Sequence, residues 1–541
     1  MMFNDTCDPG LDANHRCTSG QPCIHTMEIL ALEEKIAKLE AQFIAEQKHA
    51  HLHNAIHDPL NCFPPEIASA ILCYANPHPT EHYYIDSNPI YYLNPGVKVH
   101  SRPLELASVC RRWRELALSE PRLWSDVVMR RSSSSWNLSQ DLVNQWIARS
   151  GALPLVIVLE WEPTEDPVDD EIIALIKHIC ALSDRWRSIA VRGPSAILPF
   201  FHCEAAILLD LEHFTFISTD DDGVGTLSLG QATLRPGTIT LAGIWTPPVN
   251  VLWTNVTRLD MYRVVANALL GILPELTRLD ELRISFIQDV DDTGNVYPEP
   301  AAVINLSCLT QMTVNCIQEE HATTFFMHLE APALRVLTLM RSKDDFEAEA
   351  FPLTSIRRLL MKSEGSLRGL SLTGISFFHE DLGALLEPLA ALRTLSLTYE
   401  QAGVHAMSDQ LLTRLATTVA RTSAPGFLPD LVLLSYTGPR TFAWGSIALF
   451  LEAHKDCDGW SGMPQPSNIR PFSDLHVKIA PQTLPDDFID KEALLRFMGF
   501  PPSWVGADID RELMDASFQH HGLDRPTFIF RRPWFYNFVD N

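Results

Sequence analysis

Apolar positions in the second half of this chain recur in a fixed short pattern, two residues three apart and a third two further on. It occurs as Leu211/Phe214/Phe216, Val256/Leu259/Met261, Leu279/Leu282/Ile284 and Leu309/Met312/Val314, then as Leu334/Leu337/Leu339, Leu367/Leu370/Leu372, Leu392/Leu395/Leu397 and Leu428/Leu431/Leu433. From Val256 onward it returns after 23, 30, 25, 33, 25 and 36 residues. The last two positions of each triplet share one face of a strand. Stripes at helical spacing lie between the triplets: Val265, Ala268, Leu269, Ile272; Leu382, Leu385, Leu386, Leu389; Leu411, Leu412, Leu415, Val419. A strand and a helix, repeated and stacked, bury in the array what one unit cannot bury alone. The competing reading is an ordinary α/β domain with leucine-rich strands.

The same alternation begins earlier. Leu138, Leu142, Val143, Trp146 and Ile147 predict a helix ending at Arg149-Ser-Gly151, Leu153–Leu159 a buried strand, Ile172–Leu182 a second helix and Asp184–Val191 a second strand. At the other end, residues 452–541 show no repeat but many aromatic residues, with Leu475–Ile479 as one further strand, and are expected to cap the array. The triplets resemble leucine-rich repeats. Such repeats favour Asn or Cys at a position held here by Ile287, Ile317, Ser342, Ile375, Glu400 and Tyr436, so the expected stack, spanning 131–451, is irregular.

Residues 1–26 read as a tail. Cys7, His15, Cys17, Cys23 and His25 within it match no compact zinc spacing. From 27 to 57 the pattern is a short coiled-coil-like helix: Ile29, Leu32, Ile36, Leu39 and Phe43 alternate steps of three and four, with Glu34 and Lys38 on the outer side. Dimerisation through 27–46 and packing back onto the same chain both satisfy this seam.

Residues 58–130 form a distinct module. Pro65 suits a first helical turn, Glu66 the positive helix end, and Ile67, Ala70, Ile71 and Tyr74 make an apolar stripe. Leu106, Val109, Cys110, Trp113, Leu116 and Ala117 predict one further helix, stopped at Pro121 and followed by Leu123 and Trp124. The Pro-Pro-Glu-Ile opening, Val-Cys-Arg-Arg-Trp-Arg and the closing Pro-Arg-Leu-Trp together resemble the F-box, with residues 76–103 as an insertion. The segments WIARSGALPLVIVLEW and LSDRWRSIAV resemble those that follow the F-box in fungal F-box proteins.

Composition narrows the chemistry. A formal charge of −25 over 541 residues disfavours general affinity for nucleic acid or anionic membrane. Eleven scattered cysteines without a CxxC pair suggest reduced thiols, hence cytoplasm or nucleus, and no apolar run reaches membrane-spanning length. There is no HExxH, GxSxG, GxxxxGK[ST] or GxGxxG motif. Asp220–Asp222, beside Gly223 and Gly225, reads as a solvated loop, and the calcium-like start at Asp289–Gly294 lacks the Glu a calcium loop needs, Pro300 standing in its place. The arginines Arg111, Arg112, Arg114, Arg122, Arg130 and Arg131 form the one basic concentration.

The resemblance implies an α-helical F-box module followed by an irregular α/β leucine-rich-repeat-like solenoid. It implies a substrate-receptor subunit of a cullin-RING, SCF-type ubiquitin ligase, non-catalytic and without a cofactor or metal. A Skp-type adaptor, and through it a cullin, would then be contacted through Leu60, Phe63, Pro64, Pro65, Ile67, Ile71, Val109, Cys110, Trp113, Leu123 and Trp124. Some of these must be the module's own core, Trp113 first among them. A protein target would meet the strand residues that alternate with the leucines, among them Glu281, Arg283, Gln311, Asn315, Thr338, Ser371, Thr394 and Ser396. The alternative is a non-catalytic repeat scaffold for protein–protein interaction that joins no ligase.

Overall fold

The computed structural model describes residues 24–57, 59–75, 102–132, 135–136, 140–161, 170–203, 208–219, 229–243, 250–288, 302–317, 319–341, 353–375, 379–399, 407–417, 426–454, 472, 474–479, 488–498, 507–509 and 511–523. The zinc-like cysteines Cys7, Cys17 and Cys23, residues 76–101, both acidic stretches and most of the aromatic segment lie outside them. The described residues fall into two compact units. The first takes residues up to Ser125 with Gln145–Gly151, the second Asp126–Asn144 and the chain from Ala152 onward. The second unit therefore begins five residues before the expected module boundary.

The first unit is helical. Helix α1 spans Ile24–His57, a 3₁₀ turn Pro59–Cys62, α2 Pro65–Tyr74, α3 Arg102–Val109, α4 Arg111–Ser119 and a second 3₁₀ turn Pro121–Trp124. Helix α2 starts where expected, with Pro64 as its N-cap and Pro65 in the first turn. Its buried side is Ala68, Ser69 and Leu72, and the stripe Ile67, Ala70, Ile71, Tyr74 is the exposed one. The single helix expected around Cys110 is two. Cys110 is extended, with φ −155°, and its sulfur accepts the Trp113 N–H at 3.4 Å as the N-cap of α4. Leu60, Leu72, Ala107, Leu116, Ala117, Leu123 and Trp124 are buried, and Trp146, from the last turns of α5 (Gln140–Arg149), meets Trp124 edge-on at 4.8 Å.

The second unit is mixed α/β around one 15-stranded sheet. Its strands are β1 (Asp126–Ser132), β2 (Ser135–Trp136), β3 (Leu155–Trp161), β4 (Trp186–Gly193), β5 (Leu208–Ser218), β6 (Thr233–Ala242), β7 (Arg258–Val265) and β8 (Glu281–Gln288). After the short β9 (Ile304–Asn305) come β10 (Gln311–Ile317), β11 (Leu329–Glu330), β12 (Val336–Met340), β13 (Gly369–Thr373), β14 (Thr394–Thr398), β15 (Leu433–Gly438), β16 (Asp474–Ile479) and β17 (Ala507–Ile509). From β3 to β17 each strand of the large sheet lies beside its predecessor, and every ladder is parallel except β1–β2; β9 and β11 pair separately. The sheet is open, not a closed barrel.

Right-handed crossovers taken always in one direction put the connecting helices on one face. Burial agrees. Along β12, β14 and β16 the positions alternate, with Leu337, Leu339, Leu395, Leu397, Leu475 and Val477 buried and their neighbours not. After α6 (Asp170–Cys180), α7 (Ala266–Ile272) and α8 (Glu319–Met327), helices α9 (Leu353–Lys362), α10 (His379–Leu386), α11 (Asp409–Thr417) and α12 (Trp444–His454) bury Ile356, Leu359, Leu385, Leu412, Leu415, Ile447 and Leu451. Ser408 caps α11 by accepting the Leu411 N–H.

Every expected triplet from Leu211 to Leu397 is buried. The last is displaced by three: the buried set is Leu431, Leu434 and Tyr436, which keeps the same spacing with an aromatic third member, while Leu433 points to the half-exposed face. Outside the strands the repeat continues in the backbone. The N–H groups of Glu281, Gln311, Val336, Gly369, Thr394 and Leu433 donate to the carbonyls of Thr257, Asp280, Thr310, Arg335, Arg368 and Arg393 at 2.9–3.0 Å, which satisfies the residue just before each strand. The expected cap segment contributes β16 and β17 to this same sheet, with α13 (Lys491–Met498) and α14 (Arg511–His520).

Candidate functional site

Two surfaces carry the sequence-predicted residues, one in each unit. In the first unit the turn Pro121–Trp124 decides which residues face inward. Glu120 caps it, accepting the Arg122 N–H and gripping the Arg122 guanidinium at 2.7 and 3.0 Å, and this hydrogen-bonded cation holds the Glu120 carboxyl below its ordinary range. Leu123 and Trp124 are thereby turned into the core. The Trp124 indole N–H donates to the Ala117 carbonyl at 2.7 Å, and the Arg149 guanidinium sits 4.6 Å from the ring centre. Leu60, Leu123 and Trp124, expected among the adaptor contacts, are thus core residues at 3%, 1% and 0% exposure. Trp113, expected as the most purely structural, is only half-buried, and Cys110 is a cap.

The remaining expected contacts lie outside. Phe63, Ile67, Ile71 and Val109 are 44%, 48%, 39% and 60% exposed, and Pro64 and Pro65 are exposed beside them in sequence. These are large apolar side chains exposed on a small helical unit. The neighbouring arginines are engaged within the chain: Arg111 pairs with Glu115 at 3.0 Å and Arg114 donates to the Ala107 carbonyl at 2.9 Å. Arg130 and Arg131 belong to the second unit, where Arg130 pairs with Glu160 at 2.6 Å and Arg131 lies over Trp161.

In the second unit, strand register gathers the expected target-binding residues into rows. One row runs Asp260, Arg283, Thr313, Thr338, Ser371, Ser396, Ser435, His476 across β7 to β16. A row on one side of it holds Arg258, Glu281, Gln311, Val336, Gly369 and Thr394, and one on the other side Tyr262, Ser285, Asn315, Met340, Thr373 and Thr398. All eight residues expected there therefore share one face. The face is not uniformly small and polar. Glu281 binds Arg283 at 2.6 Å and Arg258 at 3.3 Å, all three part-buried, so its early half is a charged lattice. Glu160, at 4% exposure, is clamped farther along between Arg130 at 2.6 Å and Arg192 at 3.6 Å. The later half is a field of hydroxyls, and there Arg335, Arg368 and Arg393 occupy equivalent positions just before three successive strands. Sequence reasoning missed that row; the constant offset from each triplet was the signal that could have found it.

Among the described residues no group of three His, Cys, Asp or Glu side chains could hold a metal ion. The buried Cys180 and Cys203 thiols hydrogen-bond one another, and this bond, reinforced by burial, pushes the Cys180 thiol up. His454, buried in α12, gives Nδ1 to the Phe450 carbonyl at 2.7 Å and packs between Phe450 and Phe472, the setting of a core residue. No described helix is long and apolar enough to cross a membrane.

These features define a two-unit protein with a helical first unit and an open, largely parallel mixed α/β second unit. Compared with the models of known protein families and with curated proteins, the chain matches none.

Proposed function

We propose that the chain is a non-catalytic substrate receptor of a cullin-RING ubiquitin ligase, its first unit an F-box docking on a Skp-type adaptor and its second a leucine-rich-repeat-like array holding a protein target. The observation that carries this reading is the division within the first unit. The apolar residues of the F-box-like motif separate into a closed core, with Leu60, Leu123 and Trp124, and an outer set, Phe63, Ile67, Ile71 and Val109, that stays 39–60% exposed. A helical unit that only supported its own chain would gain by placing Ser or Glu at those positions. In the second unit the polar rows of β7 to β15 form the surface on which the target would lie. A receptor of this kind works by proximity, raising the effective concentration of target lysines near the enzyme that carries ubiquitin, so it needs no reacting group of its own.

The test is co-purification of the full chain with a Skp-type adaptor, wild type beside Ile67→Asp/Ile71→Asp. Both side chains are half-exposed, so thermal unfolding should move little, whereas a docked interface loses about 1 kcal/mol of apolar burial at each position and buries two charges, a fall in affinity of ~30-fold or more. A well-folded wild type that retains no adaptor would overturn the ligase reading and leave the repeat scaffold.

A further inference from the structure

Helix α1 carries an apolar seam that the described residues leave exposed. Every described side chain from Met27 to Ala50 is exposed, and the seam residues Ile29, Leu32, Ile36, Leu39 and Phe43 keep 49%, 59%, 54%, 55% and 63% of their surface. Away from the seam Glu34 accepts from Lys38 at 2.7 Å, and the exposed Leu30 and Ile44 stand among alanines. We propose that a second copy of this chain covers the seam, pairing α1 with α1 in a parallel two-stranded coiled coil.

The identities of the seam residues select this occupant. In heptad terms Ile29, Ile36 and Phe43 fall at a, and Leu32 and Leu39 at d. Two of the three a positions are β-branched Ile, and β-branched residues at a with Leu at d favour two parallel strands over three or four. The flanks select the direction. Glu33 and Glu40 occupy e, while Glu28 and Lys35 occupy g. In a parallel pair each Lys35 meets the partner's Glu40, giving two attractive contacts against two Glu28–Glu33 contacts. In an antiparallel pair the four e-position carboxylates crowd one flank and the two Lys35 ammonium groups meet on the other. Glu46 at the next d position ends the apolar seam. So short a seam makes the dimer reversible and concentration-dependent. Because α1 ends at His57 and the next turn begins at Pro59, parallel pairing brings the following helices of both copies out at the same end of the coil.

Sedimentation equilibrium of the full chain over about two decades of concentration tests this. The wild type should move from its 60.8-kDa mass toward twice that value. Ile36→Asp/Leu39→Asp should stay at the single mass at every concentration, with the unfolding of both units unchanged. Lys35→Glu should raise the dimer dissociation constant severalfold, and adding Glu40→Lys should restore it. A wild type that stays at the single mass throughout, or a dimer untouched by Ile36→Asp/Leu39→Asp, refutes the pairing. A dimer that Lys35→Glu leaves intact, or that the charge exchange does not rescue, refutes the parallel arrangement. None of these readings involves an adaptor, so the outcome is independent of the proposed ligase role.

Discussion

Replacing Trp124 by Phe separates the core of the first unit from its contact surface. The side chain is fully buried, its N–H is spent on the Ala117 carbonyl, and its ring carries Arg149 on one side and Trp146 edge-on. Phe removes the donor, and a buried carbonyl left unpaired costs about 1–3 kcal/mol. The missing part of the indole leaves a void worth roughly 1–2 kcal/mol, and a weaker cation–π contact with Arg149 takes about 1 kcal/mol more. The sum, about 4 kcal/mol, is a large share of what a small domain possesses. In a thermal scan of the full chain the first-unit transition should fall by roughly 15 °C or more, with the second unit's transition in place. Adaptor binding, measured in the cold where the variant is still folded, should be nearly unchanged. Ile67→Asp/Ile71→Asp should show the reverse, stability kept and binding lost. A Trp124→Phe chain that melts like wild type but no longer retains the adaptor would show Trp124 facing outward and refute the assignment.

Other expectations concern the second unit. Tyr399 is buried with a hydroxyl that has no hydrogen-bond partner among the described residues, so Tyr399→Phe should leave stability unchanged or raise it by about 1 kcal/mol in urea unfolding. Tyr436→Phe should lower it by a similar amount, because that hydroxyl donates to the Pro439 carbonyl. Burial pushes the Tyr436 phenol up to about 12, and burial raises Tyr399 as well. The neutral phenol is the form the fold favours. The stability this provides is complete below the unfolded value near 10 and is lost as the pH climbs from there to about 12, roughly 3 kcal/mol for Tyr436. Absorbance of phenolate should lag behind a free-tyrosine titration until unfolding releases it. Glu160→Gln should cost about 3 kcal/mol, because Arg130 and Arg192 lose a counter-charge buried between them, and salt should change that loss little.

The strands were readable because their triplets are nearly all large and apolar, a signal that needs no knowledge of neighbours. Where the signal changes residue type, reading slips: Tyr436 closes its triplet, and a run of leucines at 428, 431 and 433 supplied a plausible but shifted substitute. Strand β6 carries Pro236-Gly237 in its middle and shows no triplet, and β17 is three residues long. The inner face of α2 escaped for a different reason. Ala68 and Ser69 are small enough to sit in the core without looking apolar, while the bulkier Ile67 and Ile71 draw the eye to the outer face. The break at Cys110 has no Gly or Pro to announce it, and a sulfur cap is a weak cue. The charged lattice of Glu281, Arg283 and Arg258 required pairing across strands 23 residues apart in equivalent positions, from Arg258 to Glu281, which pattern along the chain does not supply.

The sequential order of the large sheet from β3 to β17 also bears on how it forms. Between consecutive strands of that sheet the longest intervening stretch runs only from Gly438 to Asp474, so no ladder must wait for a distant part of the chain. Loop closure rises slowly with length, and short closures keep folding fast for a sheet this wide. Each strand can dock on the one synthesised before it, so assembly can advance from β3 toward β17 while the ribosome is still at work, and a chain cut short in translation would retain a folded stub ending in one open strand edge.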